Sequence, residues 1–541
     1  MKPLRIYVCS NTHWDREWHM PFSEFQSRLV HLLDTLIELL QREPQYRVFN
    51  LDGQTVCVED YLDLRPERAD AVRALVQAGR LVIGPWYNLP DEFLTGDELL
   101  VRNLLMGRAI AASFGRCSQV GYLPDEFGHI AQMPQILNGF GIDNAIIWRG
   151  ISSATLPSEF FWEAPDGSAV LTHRINERVG YGIGWFGHWA IHSALGADVP
   201  LDEFKKPAVK AHWCVQLVKL FAQRAVSDVI YFPNGTDHTF PDAQVPDWLA
   251  RARVLLPAST FHHASFDEYM AALREAVRTR PVPRVRGELR AVNCVPYTPD
   301  RPIPVNLVLN GVTSTRMDVK LAHHACEQLL QYEVEPLVAW AALAPGVPGG
   351  HCMHAVLRRA WRELLRNQPH DSICACSTDA VAADLLTRFR HCQQYARAAR
   401  HEALTSLFAA YGITPAISAG GQSYVLVHPC PHAASHGALV EFQLPEALAQ
   451  PPRFALADAD GAALPAVLEA VSDESVTQVK LGWYEANCRT AAISLAPGVR
   501  SGYSMQAVRV VPGQAMPRRR WRTVARATLR NDLLAVTITA S

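Results

Sequence analysis

From residue 4 to about residue 290 the chain alternates short apolar runs with longer amphipathic stretches. The runs are LRIYVC (4–9), YRVFN (46–50), RLVIG (80–84), QVGYL (119–123), NAIIW (144–148), AVLTH (169–173) and DVIYF (228–232). Short runs rich in Val, Ile and Tyr, bounded by Gly, Pro, Asp and Asn, predict strands. Between them, FQSRLVHLLDTLIELLQ and GDELLVRNLLMGRAIAASF repeat apolar residues at three- and four-residue spacing, which predicts helices with one buried face. Strands separated by helices make βαβ units and a parallel sheet. Periodicity alone does not separate a ring from a doubly wound open sheet, but seven such strands in succession predict a closed β/α barrel.

The period changes near residue 313. RMDVKLAHHACEQLLQYEVEPLVAWAAL, HAVLRRAWRELLRN and STDAVAADLLTRFRHCQQYARAARHEALTSLFAAY predict a bundle of three helices. APGVPGG (344–350) is a loop between two of them, and QPHDSICAC (368–376) interrupts the second connection. After Gly412, SYVLVHP, GALVEFQLP and AVRVVP alternate apolar and polar positions, which predicts antiparallel strands. The expected architecture is therefore α/β plus α plus β: a seven-stranded β/α barrel over 1–300, a three-helix bundle over 301–412, and the start of a β-sandwich over 413–541.

A formal net charge of −2 on 541 residues argues against nucleic acid or an anionic membrane as the main partner. No apolar run is long enough to span a bilayer, and Met1-Lys2-Pro3 leads straight into a strand rather than a signal-peptide core. Twelve scattered cysteines form no disulfide framework, which fits a reducing, cytoplasmic setting. Asn234-Gly235-Thr236 matches a glycosylation acceptor in a loop where a glycan would obstruct the site, as expected of a chain that is not secreted.

The informative feature is where polar residues fall. His13 and Asp15 follow the first strand, Asp52 the second, Trp86 with Asp91 and Glu92 the third, Asp125 the fourth, Arg149 the fifth, and Asp237 the last. In parallel α/β folds these loops converge on the face that carries the chemistry. Two imidazoles and two carboxylates, His13, Asp15, Asp125 and His370, make a donor set suited to Zn²⁺. In an extended backbone His13 and Asp15 point to the same side. On spacing alone such residues serve more often as surface or hydrogen-bonding groups than as metal ligands.

Several segments carry a more specific signal. HWDREW, DGQTVCVEDYL, GPWYNLPDEF, GYLPDEFGHIAQMPQIL, NGTDH, TSTRMDVK and NQPHDS occur in the order in which similar segments occur in bacterial members of glycoside hydrolase family 38, the zinc-dependent α-mannosidases. The chain resembles that family from about residue 4 to residue 400. The resemblance implies one zinc ion held by His13, Asp15, Asp125 and His370. It makes Asp125 also the nucleophile and Asp237 the general acid/base. It implies a retaining hydrolase that releases α-linked mannose through a covalent mannosyl-aspartate. The substrate is an oligosaccharide or a mannosylglycerate-like molecule, phosphorylated or not. It further implies that family members continue beyond Thr537-Ile538-Thr539-Ala540-Ser541, so that this length ends on an unpaired strand and hydrolyses weakly or not at all.

Trp14 and Trp86 are expected to stack on sugar or to pack the barrel rim; Asp91, Arg149 and Asp371, with Glu92, to bind substrate or orient the ligands. Asp52 reads as a turn residue, His129 as a brace for the Asp125 loop, and Arg316 with Asp318 as a cap or ion pair. The PRRRWR run reads as a solvated turn, and a homo-oligomer is compatible with the sequence. The rival readings are a metal-dependent deacetylase, in which the metal activates water, and an impaired homologue that only binds carbohydrate.

Overall fold

The computed structural model describes residues 2–152, 156–177, 179–183, 191–192, 195–291, 308–347, 351–413, 423–432, 438–445, 449, 452–472, 476–480, 484–495, 503–513, 517, 526–530 and 535–539. The chain divides into two compact units, Met1–Glu327 with Arg358–Tyr395, and Gln328–Leu357 with Ala396–Ser541. The expected boundary at 300–301 and most of the PRRRWR run lie outside the described residues.

In the first unit the strands are β1 (Arg5–Ser10), β2 (Phe49–Asn50), β3 (Leu81–Val82), β4 (Gly121–Leu123), β5 (Asn144–Ile147), β6 (Glu159–Glu163), β7 (Ala169–Arg174), β8 (Val229–Asn234), β9 (Thr260–His263) and β10 (Arg284–Arg286). All seven strands read from the sequence are among them. β6 (EFFWE), β9 (TFHH) and β10 (RVR) are additional; each sets its few apolar residues among charged or polar ones instead of in a Val- and Ile-rich run. Parallel ladders join β8 to β1, β1 to β9, β2 to β3, β4 to β5 and β5 to β7, while β6 runs antiparallel to β7. Single bridges continue the order between these sheets: Gly182 with Gly235 beyond β7 and β8, and Asn11 with Asn50 beyond β1 and β2. Past β3, the Ser118 N–H donates to the Ile83 carbonyl at 3.0 Å.

The helices form where their sequences dictate. Phe22–Arg42 buries Phe25, Leu29, Leu32, Leu33, Leu36 and Leu40, a stripe at helical spacing. Each such side chain contributes roughly 1.5–3 kcal/mol on leaving water. The helix stops at Glu43, which precedes Pro44 and is extended at ψ 90°. Helix Asp97–Phe114 ends on Gly115 at φ 118°. It also carries Gly107, where a Cβ would stand 2.2 Å from the Trp86 carbonyl carbon; only glycine lets this helix lie on the 85–87 backbone. The core beside it joins Trp86, Leu104, Leu123, Ile147, Phe160 and Trp162. A second cluster joins Cys9, Tyr122, Leu171, Tyr231, Phe266 and Tyr269.

Helices Met317–Gln328, Glu335–Leu343, His351–Leu365 and Asp379–Ala410 occupy the region read as a bundle, with a six-residue π-helical turn, Leu329–Val334, between the first two. In the second unit two antiparallel sheets share a core that includes Leu444, Phe454, Leu468, Ile493 and Val508. The terminal run is not an unpaired strand as expected: Ala535–Thr539 pairs antiparallel with Arg526–Arg530. No helix among the described residues is long and apolar enough to cross a membrane.

Candidate metal and catalytic site

The pairing of β1 with β8 does not stop where the strands do. The Asn11 N–H donates to the Asn234 carbonyl (3.2 Å), the His13 N–H to the Thr236 carbonyl (3.1 Å), and the His238 N–H to the His13 carbonyl (2.8 Å). This extension places His13 opposite Asp237 as a bridge pair. It also keeps residues 13–15 extended enough for alternation. His13 and Asp15 share one side, while Trp14 turns away to pack against Phe25 and His238.

His370 arrives from the far end of the unit. Its N–H donates to the Leu89 carbonyl at 3.0 Å, and the Asp91 N–H to the Gln368 carbonyl at 3.2 Å, so the 368–370 strand-like segment is laced onto the loop after β3. Buried Glu17 holds the same segment from the other side, accepting from the Ser372 hydroxyl at 2.8 Å and from Arg388.

Four donors converge. His13 Nε2 lies 3.0 Å from Asp15 Oδ1 and 3.9 Å from Asp125 Oδ2. His370 Nε2 lies 3.4 Å from Asp15 Oδ1 and 3.2 Å from Asp125 Oδ2. A tetrahedral ion with bonds of about 2.0–2.2 Å holds its donors roughly 3.3–3.6 Å apart. His13, Asp15 and His370 form the compact group, with ligand atoms all within 4.8 Å of one another, and Asp125 faces both imidazoles beside it. The three atoms His13 Nε2, Asp15 Oδ1 and His370 Nε2 are buried without a hydrogen-bond partner. Orphaned buried polar atoms are costly unless something answers them. Two imidazole nitrogens and carboxylate oxygens at these separations fit zinc.

The electrostatics agree. Burial alone would depress the His370 imidazolium, but the carboxylates of Asp371, Asp125 and Asp15 overcome it and raise the pKa to about 10. Burial opposes ionisation of Asp15 too, yet His13, with His238 and His370, holds it well below the usual carboxylate range. The cluster calls for a cation at its centre. Asp125 is likewise held low: burial pushes up, and the Arg149 guanidinium, then His370 and His13, pull down. Asp237 goes the other way. Burial, with repulsion from Asp15 and Asp125, outweighs His13 and His238 and lifts it to about 6. Two carboxyls on one face are thus driven apart, one ionised and one able to hold a proton.

The remaining candidates are placed as follows. Arg149 is engaged with Asp125, its Nε donating to Oδ1 at 2.8 Å. Asp371 lies buried beside His370, pushed up to about 7 by burial and by Asp15, and accepts from the Cys376 thiol at 2.8 Å. Asp91 is engaged in its own turn, accepting from the Phe93 and Leu94 N–H groups and from Cys374, in keeping with the loop or orienting side of its reading. Trp86 is wholly buried in the apolar cluster and Trp14 is 3% exposed, so neither offers a ring face for stacking. His129 pairs with Glu92 at 2.7 Å in a fully buried brace. Arg316 pairs with Asp379.

The sequence undervalued Asp52. With φ 53° followed by Gly53 at φ 67°, the backbone turns its carboxylate back onto His13 Nδ1 (3.1 Å) and the Trp14 N–H (2.8 Å). Its signal was the Asp-Gly pair at a strand's C-terminal end. Tyr181, 4.9 Å from the His13 ring, and Phe127, 5.5 Å and edge-on to His370, had no comparable signal.

Residues 3–289 match the N-terminal domain of glycosyl hydrolases family 38, and residues 308–407 match the α-mannosidase middle domain. A Halalkalibacterium halodurans protein with the provisional description mannosylglycerate hydrolase is 34% identical over 71% of this chain and 40% of its own length. Human α-mannosidase 2C1 is 30% identical over 31% of this chain and 16% of its own. The crystal structure of an α-mannosidase from Enterococcus faecalis superposes with a TM-score of 0.79 at 26% identity, covering 99% of this chain and 59% of that one. The chain therefore spans less than two thirds of the length of these relatives.

Proposed function

The chain belongs to glycoside hydrolase family 38, and we propose that it is a zinc-dependent, retaining hydrolase of α-mannosides. The observation that carries this reading is the convergence of orphaned donor atoms from His13, Asp15 and His370 beside ionised Asp125. These four residues would hold the ion. When bound, Zn²⁺ would act as a Lewis acid toward the sugar's vicinal hydroxyls and favour the ionised nucleophile. We read the seven parallel strands as a barrel closed through the bridges described above, and the two antiparallel sheets as a β-sandwich.

In the first step the Asp125 carboxylate attacks the anomeric carbon as the glycosidic C–O bond breaks, and Asp237 gives its proton to the departing oxygen. In the second, Asp237 takes a proton from water, whose oxygen displaces the Asp125 ester. Mannose leaves with its configuration retained, and both carboxyls return to their starting states. Arg149 holds Asp125 on line, and Asp52 orients His13. The relative described provisionally as a mannosylglycerate hydrolase favours a second reading of the substrate, a mannosylglycerate.

The experiment is hydrolysis of an aryl α-mannoside with and without a chelator, beside elemental analysis. One zinc per chain and activity abolished by chelation and restored by zinc are expected. Activity indifferent to chelation contradicts the reading. A panel of mannosides, mannosylglycerate included, separates the two substrates by released mannose.

A further inference from the structure

We propose that His238 is a positioning residue that fixes the carboxylate of Asp15 from the side opposite the metal donors. The inference rests on reading His13, Asp15 and His370 as ligands. The two oxygens of Asp15 have different surroundings. Oδ1 faces His13 Nε2 at 3.0 Å and His370 Nε2 at 3.4 Å, whereas Oδ2 faces His238 Nε2 at 3.3 Å. The same His238 nitrogen stands 3.2 Å from the Asp15 backbone nitrogen. With its proton on Nδ1 the ring accepts from the Asp15 N–H; with its proton on Nε2 it donates to Oδ2. Either bond ties Asp15 to the loop that carries Asp237.

The ring is held where it can do this. His238 is 8% exposed and is packed by Phe25 at 4.5 Å, Trp14 at 5.0 Å and His19 at 5.8 Å between ring centroids. Its backbone is left-handed at φ 52°, uncommon for a residue with a side chain, and its N–H is fixed to the His13 carbonyl. Filling the aromatic cage would require only a ring. The imidazole adds a nitrogen that meets both the amide and the free oxygen of a ligand carboxylate. Partners of this kind fix a ligand's orientation, and removing one typically weakens metal binding about 10- to 100-fold.

The test compares His238→Phe, which keeps a ring in the cage, with His238→Gln, which keeps a group able to accept or donate, and uses His13→Ala as a control. Zinc affinity is measured by competition with a chromophoric chelator, and the thermal midpoints of the zinc-free forms are compared. The proposal expects His238→Phe to lose affinity about 10- to 100-fold, His238→Gln to stay within a few fold of the parent, and zinc-free midpoints to agree. Wild-type affinity in His238→Phe, while His13→Ala loses zinc, would overturn it, as would an equal loss in His238→Gln. Zinc retained by His13→Ala would instead overturn the ligand assignment beneath it.

Discussion

The carboxylate of Asp52 lies 3.1 Å from Nδ1 of His13, so that the opposite ring nitrogen, Nε2, is turned toward Asp15 and Asp125. A carboxylate behind a ligating imidazole fixes its tautomer and its angle. The same carboxylate accepts from the Trp14 N–H at 2.8 Å and from Gln54 at 2.7 Å. Asp52→Ala should weaken zinc binding about 10- to 100-fold and cost about 1–3 kcal/mol in stability through unpaired buried groups. Chelator competition and denaturant melts measure both.

Gly235 lets two loops touch. A Cβ there would stand 2.2 Å from the Asn11 carbonyl oxygen, two residues before the bridge of His13 with Asp237. Gly235→Ala should destabilise the fold by about 1–3 kcal/mol through overpacking. It should also lower kcat by more than tenfold, about 1.4 kcal/mol, by moving Asp237. A variant with unchanged melting and unchanged turnover would count against this loop geometry.

Glu17, wholly buried, ties the first strand's loop to the His370 segment through Ser372 and Arg388. Glu17→Ala leaves Arg388 without that partner, and breaking a buried pair typically costs about 3–5 kcal/mol. A large drop in thermal midpoint, together with loss of zinc, is expected.

The pH dependence follows from Asp237, whose pKa is lifted to about 6 by burial and the neighbouring carboxylates. A general acid works when protonated, so kcat/KM for mannosides with poor leaving groups should fall as pH rises through about 6. Aryl mannosides with good leaving groups need no such proton. Asp237→Asn should therefore abolish hydrolysis of alkyl mannosides and spare much of the first-step rate for activated ones. Alkyl mannosides hydrolysed by Asp237→Asn at the parent rate would assign the acid role to another group.

Much of the first unit was legible because its strands and helices carry clean periods: the seven main strands and helices Phe22–Arg42 and Asp97–Phe114 all form where the pattern put them. β6, β9 and β10 were not, since EFFWE, TFHH and RVR lack the aliphatic run that marked the others. The ligand candidates were legible through ordered motifs. Their supports were not, because Asp52 meets His13 across 39 residues and His238 meets Asp15 across 223, and periodicity carries no long-range register. Trp14 and Trp86 left two readings open, sugar stacking or rim packing, for a related reason. An aromatic after a strand looks available to sugar until the packing of Phe25 and helix Asp97–Phe114 is known.

The central claim is that Asp125 becomes covalently bonded to the sugar. A fluorinated mannosyl fluoride tests it, because the ring fluorine slows both steps while the fluoride leaving group keeps formation faster than hydrolysis of the ester. After quenching and proteolysis, the peptide mass should show one fluoromannosyl group on Asp125 in zinc-loaded protein, and none in Asp125→Asn or after chelation. Labelling of a different residue, or no label on zinc-loaded protein that turns over aryl mannoside, would contradict the account.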